Sequence, residues 1–267
     1  MENSNKKVAV ITGASSGIGL TTAKYFRENG FVIYNLSRRK VDEKGIISIP
    51  CDVTSVEQVK DAINQIVSEQ GQIDVLINNA GFGISGSSEN QSLEDVEKLF
   101  KVNFMGAVNV TQQVLPIMRN QRNGKIINTG SVAGVFPIPF QSFYSATKSA
   151  IDMWAKALRL EVKPFGVQVG TVLVGDTKTN FTDKREKSTL DDGTDYEEVV
   201  KKSIAKMERD EQKGKDPITV AKVMLKLASS RKMPATKVVG GSYKLLVFLN
   251  KILPQRFMLW VVGKLYS

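Results

Sequence analysis

A tyrosine and a lysine four residues apart, Tyr144 and Lys148, are the pair in this sequence best suited to moving a proton. In a helix, residues four apart project from one face, about one turn from each other. A free tyrosine has a pKa of about 10, and a nearby ammonium group favours its phenolate form. We therefore expect Tyr144, with its pKa lowered by Lys148, to exchange a proton with a carbonyl or alcohol oxygen.

A serine at the end of a β-rich run, Ser131, is a second candidate for this chemistry. Its hydroxyl group is suited to hydrogen-bonding a reacting oxygen, the role of an oxyanion-type donor. The sequence contains no histidine, so no imidazole is available to activate this serine as a nucleophile. The same absence excludes histidine-ligated metal sites, and no metal centre is predicted.

A glycine-rich turn lies between a predicted buried strand and a predicted helix. Glycines at such a turn let the backbone approach a pyrophosphate group, which then lies at the N-terminus of the helix. The turn alone is a weak signal, but its place between strand and helix makes the nucleotide-binding prediction strong. Its candidate cofactor residues are Gly13, Ser15, Ser16, Gly17, Ile18 and Gly19.

Short β-rich runs alternate with amphipathic helical stretches, a pattern typical of a parallel sheet with helices on both faces. We expect a Rossmann-type, doubly wound α/β fold with seven parallel strands in the order 3-2-1-4-5-6-7. The predicted strands begin at Lys7, Phe31, Ile46, Ile73, Lys125, Val167 and Thr236. The predicted helices include Gly17 to Gly30, Ser142 to Val162 and Ile218 to Ala228, and others beginning at Ser55 and Ser92.

No linker or internal repeat divides the chain, so residues 1–267 are expected to form a single domain. Within it, the charged segment 176–216 is predicted to be a loop and an exposed helix that shape the substrate site. Residues 242–267 are predicted to be an apolar, basic C-terminal extension.

The glycine-rich turn resembles the cofactor motif of the short-chain dehydrogenase/reductase family, and five further family motifs follow in order. The resemblance is close from Lys7 to Thr179 and looser beyond. It implies hydride transfer between a nicotinamide cofactor and a carbonyl or alcohol group. The five motifs are Asp52-Val53, Asn78-Asn79-Ala80-Gly81, Asn103, Ser131 and Tyr144-Ser145-Ala146-Thr147-Lys148.

The resemblance also implies a role for each of these residues. Asn103 would join Ser131, Tyr144 and Lys148 in the catalytic set by holding a proton-relay water. Lys148 would also reach the hydroxyl groups of the nicotinamide ribose, which places it, with Tyr144, among the cofactor-binding residues.

At the adenosine end of the cofactor, the resemblance implies that Asp52, followed by Val53, accepts the adenine amino group. Asn79-Ala80-Gly81 would pass beside the adenosine ribose. Thr179 would contact the nicotinamide carboxamide, although Val174-Gly175 stands where family members usually have Pro-Gly.

The choice of nicotinamide is predicted from the end of the second strand. An acidic residue there binds the 2′-hydroxyl group of NAD, whereas a basic residue accommodates the 2′-phosphate of NADP. Here Ser37 replaces the acidic residue and is followed by Arg38, Arg39 and Lys40. Because a guanidinium group pairs bidentately with phosphate, Ser37, Arg38 and Arg39 are predicted to bind NADP(H).

The C-terminal tail is both basic and apolar. Residues 217–267 contain seven lysines, two arginines and no acidic residue, and so carry nine of the ten net positive charges. Tyr243 to Leu253 is predicted to be a helix ended by Pro254, followed by a second apolar patch. Three uses compete: packing on the substrate cleft, a subunit interface, or contact with an anionic membrane surface.

These features lead to three expectations about partners and location. We expect the tail to pack within the protein or within a homo-oligomer, which would be a dimer or a tetramer. The apolar character of the tail argues against a nucleic-acid partner. The lone Cys51, the polar segment Met1 to Lys7 and the lack of an apolar run of about 18 residues favour a cytoplasmic protein. Peripheral membrane contact through the tail stays open.

The predicted function is NADP(H)-dependent interconversion of a carbonyl and an alcohol on a hydrophobic, steroid-, retinoid- or fatty-acyl-like substrate. A 3-oxoacyl-acyl-carrier-protein reductase would share every catalytic residue. A non-catalytic NADP-binding sensor or scaffold is disfavoured by the intact catalytic set. A sugar-nucleotide epimerase also uses a tyrosine-lysine pair, but the chain length and the spacing of the glycine turn disfavour it.

Overall fold

The architecture rests on a parallel sheet, here described from a computed structural model of residues 6–266. Residues 1–5 and 267 of the predicted domain lie outside the described residues. Within residues 6–266, seven strands pair in the order β3-β2-β1-β4-β6-β7-β9, which confirms the predicted fold and strand order. In chain order the strands are β1 (Val8–Thr12), β2 (Val32–Ser37), β3 (Ile46–Pro50), β4 (Val75–Asn78), β5 (Ile84–Ser85), β6 (Gly124–Ser131), β7 (Val167–Val174), β8 (Glu186–Lys187) and β9 (Thr236–Val238).

Helices cover both faces of this sheet and bury two apolar clusters against it. Helices α2, α4 and α5 contribute to one cluster, and α1 and α7 contribute to the other. A π-helical turn, 101–105, joins α3 to α4. The helices are α1 (Gly17–Glu28), α2 (Val56–Gln70), α3 (Leu93–Phe100), α4 (Gly106–Gln121), α5 (Ser142–Val162), α6 (Glu197–Gln212), α7 (Ile218–Ser229), α8 (Gly241–Ile252) and α9 (Gln255–Tyr266).

The strand order reverses between β1 and β4, and this reversal creates the crevice in which open α/β sheets bind ligands. The loops after both strands meet closely there. A Cβ atom at Gly13 would lie 2.8 Å from the Cα atom of Ala80. Gly13 also adopts a left-handed φ of 66°. A glycine is therefore required at this position both by the close approach and by the backbone conformation.

A second, two-stranded sheet was not predicted from the sequence. In it β5 pairs with β8, with Ile84 opposite Glu186 and Ser85 opposite Lys187. Segment 176–216 is thereby attached to the loop that follows β4. The helix expected in this segment is α6, which is exposed on one side and buries Val200, Ile204 and Met207 along the other. Their helical spacing is obscured in the sequence by the many charged residues between them.

The C-terminal tail forms two helices, α8 and α9, that pack beside the carboxyl end of β7. Met258 and Val262 of α9 are buried with Val132, Phe136 and Leu173. The helix α8 ends at Ile252, two residues before Pro254, in agreement with the predicted stop. Among the described residues, no helix is long and apolar enough to cross a membrane.

A buried carboxylate, Asp191, fixes the middle of segment 176–216 in place. It accepts hydrogen bonds from the Ser87 backbone N–H at 2.9 Å, from the Ser87 hydroxyl group, and from the Asn90 side chain at 2.9 Å. Burial acts to raise the pKa of Asp191, but these hydrogen bonds outweigh it and hold the pKa below its usual value. The position of the segment therefore depends on an ionised acid, Asp191, whose hydrogen-bond partner Ser87 lies 104 positions earlier in the sequence.

We expect Asp191→Ala to lower the free energy of unfolding by about 2–3 kcal/mol, because it leaves buried donors on Ser87 and Asn90 without an acceptor. Urea unfolding followed by circular dichroism measures this change. Asp192→Ala is the matched control, because the neighbouring Asp192 side chain is 59% exposed and its ion pair with Lys201 contributes little. Equal losses in the two variants would contradict the structural role of Asp191.

Candidate active site

The N-terminus of α1 is open to an anion. Ser16 precedes the helix in an extended conformation without a side-chain hydrogen bond to it, and the first turn contains no acidic residue. Gly17 has a left-handed φ of 55°. A Cβ atom at Gly19 would lie 2.6 Å from the Gly13 carbonyl oxygen. The glycines therefore let the turn fold tightly while the positive end of the helix dipole faces the crevice.

A cleft of about 530 Å³ extends from this turn and brings together nearly all the predicted site residues. Two predicted residues do not line it, Gly19 and Asn103, and both are buried behind its wall. The predicted residues that line it are Gly13, Ser15, Ser16, Gly17, Ile18, Ser37, Arg38, Arg39, Asp52, Val53, Asn79, Ala80, Gly81, Ser131, Tyr144, Lys148 and Thr179.

Two residues that the sequence analysis did not single out position the loops of the cleft. Asn35, buried in β2, accepts a hydrogen bond from the Ala14 N–H at 3.0 Å. The Thr12 hydroxyl group accepts hydrogen bonds from the backbone N–H groups of Asn79 and Ala80, each at 2.9 Å. Both are polar residues within strands that are otherwise apolar. Because a buried polar side chain needs a hydrogen-bond partner, this pattern is a weak signal that such residues bind neighbouring loops.

At the far end of the cleft, basic side chains face a fixed carboxylate. Arg38 and Arg39 are exposed, while the buried Ser37 donates a hydrogen bond to the Arg39 carbonyl oxygen at 2.7 Å. Asp52 accepts hydrogen bonds from the Thr54 N–H and hydroxyl groups at 2.9 and 2.8 Å. Burial acts to raise the pKa of Asp52, but the Thr54 hydrogen bonds and the Arg38 charge hold it below its usual value. This end can therefore offer cations to a phosphate and an ionised acceptor to an amino group.

The catalytic candidates converge at the other end of the cleft, where β6 ends beside α5. The Lys148 ammonium donates a hydrogen bond to the Thr129 carbonyl oxygen at 2.9 Å and lies 5.6 Å from the centre of the Tyr144 ring. Ser131 lies close enough to the Tyr144 hydroxyl group to act on its pKa. It also accepts a hydrogen bond from the Ala133 N–H at 3.1 Å, which orients its side chain.

Burial dominates the electrostatics of this end. It raises the pKa of Tyr144 to about 12, although the hydrogen bond from Ser131 acts in the opposite direction. It lowers the pKa of Lys148 to about 8. The expectation that the pKa of Tyr144 is lowered is therefore wrong for this arrangement, because the loss of hydration favours the neutral phenol. Tyr144 keeps its proton at neutral pH and is suited to act as an acid.

Asn103 lies in the π-helical turn and supports the loop beside the catalytic candidates. Its side chain accepts a hydrogen bond from the Phe82 N–H at 3.0 Å and donates one to the Phe82 carbonyl oxygen at 2.9 Å. A Cβ atom at Gly81 would lie 3.0 Å from the Asn103 side-chain oxygen and 3.8 Å from the Lys148 ammonium nitrogen. The glycine therefore lets the loop pass between these two side chains, and π-helical turns often occur at such functional places.

The loop after β7 is held by the tail, which compensates for the missing proline. The Tyr243 ring lies against Gly175, where any Cβ atom would collide with it. The Tyr243 hydroxyl group donates to the Asp176 carboxylate and accepts from the Asp176 N–H at 3.3 Å. Thr179 follows with its side chain 3.5 Å from the Cβ position of Gly17, beside the predicted phosphate turn.

Segment 176–216 adds two carboxylates to the cleft that the sequence analysis missed, Asp176 and Glu211, which we call the acidic wall. The ring of Phe181 lies 5.9 Å from that of Tyr144. Glu211 forms an ion pair with the fully buried Arg185 and accepts a hydrogen bond from Thr182 at 2.6 Å. Burial, together with the charge of Glu211, raises the pKa of Asp176 above its usual value. Asp176 and Glu211 both line the cleft with Tyr144.

This geometry agrees with a comparison of the sequence with known families. The sequence model of the family described as short chain dehydrogenase matches residues 7–189. The chain belongs to the short-chain dehydrogenase family. It is therefore an oxidoreductase of a family that uses nicotinamide dinucleotides, which confirms the resemblance found in the motifs.

Two curated relatives and one solved structure illustrate the similarity. This short-chain dehydrogenase is 39% identical over 264 residues to the 3-ketodihydrosphingosine reductase of Bacteroides thetaiotaomicron. The aligned region covers 98% of each chain. It is 34% identical over 189 residues to the 3-oxoacyl-[acyl-carrier-protein] reductase FabG of Thermotoga maritima, covering 67% of this chain and 77% of that protein. The crystal structure of a short-chain dehydrogenase from Streptomyces avermitilis matches with a TM-score of 0.82 and 28% identity over 97% of each chain. Similar solved structures include NADP-bound and NAD-bound forms, so the fold alone does not decide between the two nucleotides.

The lowered pKa of Lys148 predicts a pH dependence of cofactor binding. As the pH rises through about 8, Lys148 loses its charge, and the affinity for the anionic cofactor NADPH should fall. Titration of NADPH fluorescence at successive pH values measures this affinity. Lys148→Met should bind more weakly and show no fall near this pH, whereas Lys222→Met, on an exposed position of α7, should behave as the wild type. A wild-type affinity that stays constant across this range would contradict the prediction.

Proposed function

We propose that this chain is an NADPH-dependent reductase of long-chain ketones that carry an ammonium group beside the carbonyl. The relative from Bacteroides thetaiotaomicron is named for such a substrate, 3-ketodihydrosphingosine. This compound has an amino group on the carbon next to its carbonyl, and a long alkyl chain on the other side. The proposal narrows the hydrophobic substrate class expected from the sequence to amino ketones.

The observation that carries this proposal is that two carboxylates, Asp176 and Glu211, line the same cleft as Tyr144. Among the described residues, Asp176 makes no ion pair, and it is one of the residues that line the cleft. Glu211 raises the pKa of both Tyr144 and Asp176, so it lies within electrostatic range of each. A carboxylate in a half-buried position is stabilised by a cationic partner. A substrate ammonium group next to the reacting carbonyl would supply that partner.

The proposed mechanism assigns one task to each catalytic side chain. Bound NADPH supplies a hydride to the carbonyl carbon. Tyr144, which holds its proton because burial raises its pKa to about 12, donates this proton to the carbonyl oxygen. Ser131 lies close enough to the Tyr144 hydroxyl group to lower its pKa, and it would stabilise the developing charge on the carbonyl oxygen. Lys148 would bind the nicotinamide ribose with its ammonium group.

The preference for NADPH over NADH is supported by the basic end of the cleft. Arg38 and Arg39 line it with exposed guanidinium groups, and the side chain of Ser37 is too short and neutral to repel a 2′-phosphate. A guanidinium-phosphate pair is a charge-assisted hydrogen bond with a fixed geometry. We infer that these residues bind the 2′-phosphate.

We expect wild-type protein to bind NADPH at least about tenfold more tightly than NADH, since a charge-assisted hydrogen bond contributes about 1.5–3 kcal/mol. Ser37→Asp combined with Arg38→Leu should reverse this order. Calorimetric titration of both cofactors measures the affinities. Lys40→Leu is the matched control, because Lys40 is a neighbouring exposed cation that does not line the cleft. Equal wild-type affinities for the two cofactors would refute the assignment.

A reductase of 3-oxoacyl thioesters is the second candidate, because one curated relative bears that name. Its substrates carry no ammonium group beside the carbonyl, so a bound thioester would offer Asp176 no cationic partner. Among the described residues Asp176 accepts a hydrogen bond from Tyr243 but makes no ion pair, and this favours the amino ketone. A non-catalytic sensor or scaffold is a third alternative, and it would bind cofactor without turnover.

The substrate is tested by NADPH oxidation with 3-ketodihydrosphingosine, its analogue without the amino group, and a 3-oxoacyl thioester of equal chain length. We expect the amino ketone to be reduced most efficiently. Asp176→Asn should raise its KM roughly tenfold or more while leaving the KM of the amine-free ketone unchanged, because only the former loses a charged contact. Asparagine keeps an oxygen for Tyr243, so the loop is expected to stay in place.

Two variants control this experiment. Asp183→Asn removes a charge from an exposed position of the same segment and should have no effect on KM. Tyr144→Phe should abolish turnover while retaining the ring. If the wild type reduced the thioester or the amine-free ketone as efficiently as the amino ketone, the proposed substrate would be wrong. Turnover of none of the three compounds would favour the non-catalytic alternative.

A further inference from the structure

The outer surface of α8 and α9 is apolar. Seven large hydrophobic side chains there are between 47% and 61% exposed, and together we call them the tail surface. Eight other large hydrophobic side chains are exposed among the described residues, spread over residues 47–199. Single exposed apolar residues are normal, whereas a concentration of them marks an interaction site. The tail surface consists of Leu245, Phe248, Ile252, Phe257, Leu259, Trp260 and Leu265.

Positive charge accompanies the tail surface without any compensating acid. Lys244, Lys251, Arg256 and Lys264 are exposed on the same two helices. Residues 217–267 contain no aspartate or glutamate. A second copy of this chain would bring these cations against the same cations, whereas an anionic lipid surface would neutralise them. The charge therefore favours lipid over self-association as the occupant.

The shape of the tail suits a position in the plane of a membrane surface. Each helix has 12 residues and is about 18 Å long, shorter than the thickness of a bilayer core. Phe257 and Trp260 stack with their ring centres 6.0 Å apart on the exposed side. Aromatic rings with adjacent lysine and arginine are typical of helices that lie at the boundary between lipid headgroups and acyl chains.

A groove beside the tail adjoins the catalytic cleft. It has a volume of about 520 Å³ and runs between α9 and the residues that follow β6. Leu259 and Val262 line its tail side. Ala133 and Ile138 line both this groove and the catalytic cleft, so the two cavities adjoin. Leu259 also belongs to the tail surface, which places the mouth of the groove beside that surface.

We propose that α8 and α9 dock this protein on an anionic lipid bilayer, with the tail surface buried at the headgroup boundary and the four cations on lipid phosphates. The groove beneath α9 then opens toward the bilayer and gives an alkyl chain a path to the cleft. The docking itself is independent of the reaction proposed above, because it rests only on the exposed side chains and charge of the tail.

Vesicle sedimentation with the full chain tests this docking. We expect the protein to sediment with vesicles of phosphatidylcholine and phosphatidylglycerol, and much less with phosphatidylcholine alone. High salt should weaken this binding, because it screens the cations. Lys244→Gln combined with Lys251→Gln should weaken it roughly 25-fold, at about fivefold for each removed cation. Phe248→Ser combined with Trp260→Ser should weaken it by about tenfold or more on both vesicle types.

Val56→Ser combined with Leu93→Ser is the matched control, because these two side chains are 59% and 77% exposed on the N-terminal turns of α2 and α3, away from the tail. This control should bind vesicles as the wild type does. A wild-type protein that stays in the supernatant with anionic vesicles at low salt would overturn the proposal. It would also be overturned if the Phe248 and Trp260 variant kept its lipid binding but eluted as a smaller species in size-exclusion chromatography with light scattering. That outcome would assign the tail surface to a second copy.

Discussion

The contact between Tyr243 and the Gly175–Asp176 peptide joins the C-terminal tail, the loop after β7 and the acidic wall of the cleft. The ring requires a glycine at position 175, and the hydroxyl group fixes both the backbone and the carboxylate of Asp176. Through this contact the tail holds the loop that carries Thr179 and orients Asp176 of the acidic wall. The same contact anchors the tail to the end of β7. The family's usual proline stiffens this loop from within, whereas here an aromatic residue 67 positions away does so.

Burial then decides the proton chemistry of the cleft. Lys148 is buried and Tyr144 is half-buried, and this loss of hydration favours the neutral form of each. The tyrosine consequently holds its proton more firmly than a free phenol, and the lysine holds its proton less firmly than a free amine. Such a pair is suited to donating a proton to a ketone at neutral pH, in agreement with the proposed direction of the reaction. An ammonium group held by Asp176 would add positive charge where negative charge develops on the carbonyl oxygen.

Local pattern predicted much of this structure, and long-range contacts account for what it missed. The strand positions, the bounds of α5 and the phosphate turn follow from periodicity and glycine placement, which are properties of neighbouring residues. The strand order follows from the doubly wound fold that their alternation implies. The roles of Asp191, Arg185 and Glu211 do not, since each depends on partners brought together only by the folded chain. The same holds for the pKa of Tyr144, because sequence spacing places Lys148 near it but does not reveal how little water surrounds both. The NADPH preference, the substrate and the oligomeric state stay predictions.

The central claim is that Tyr144 and Asp176 bind two neighbouring groups of one substrate. A crystal structure of the protein with NADP⁺ and dihydrosphingosine, the reduced product, tests it most directly. We predict that the amino nitrogen lies at hydrogen-bonding distance, about 2.7–3.2 Å, from a carboxylate oxygen of Asp176, with the 3-hydroxyl group at a similar distance from the Tyr144 hydroxyl group. A complex in which the 3-hydroxyl group meets Tyr144 while the amino group points to solvent, away from Asp176 and Glu211, would contradict this account.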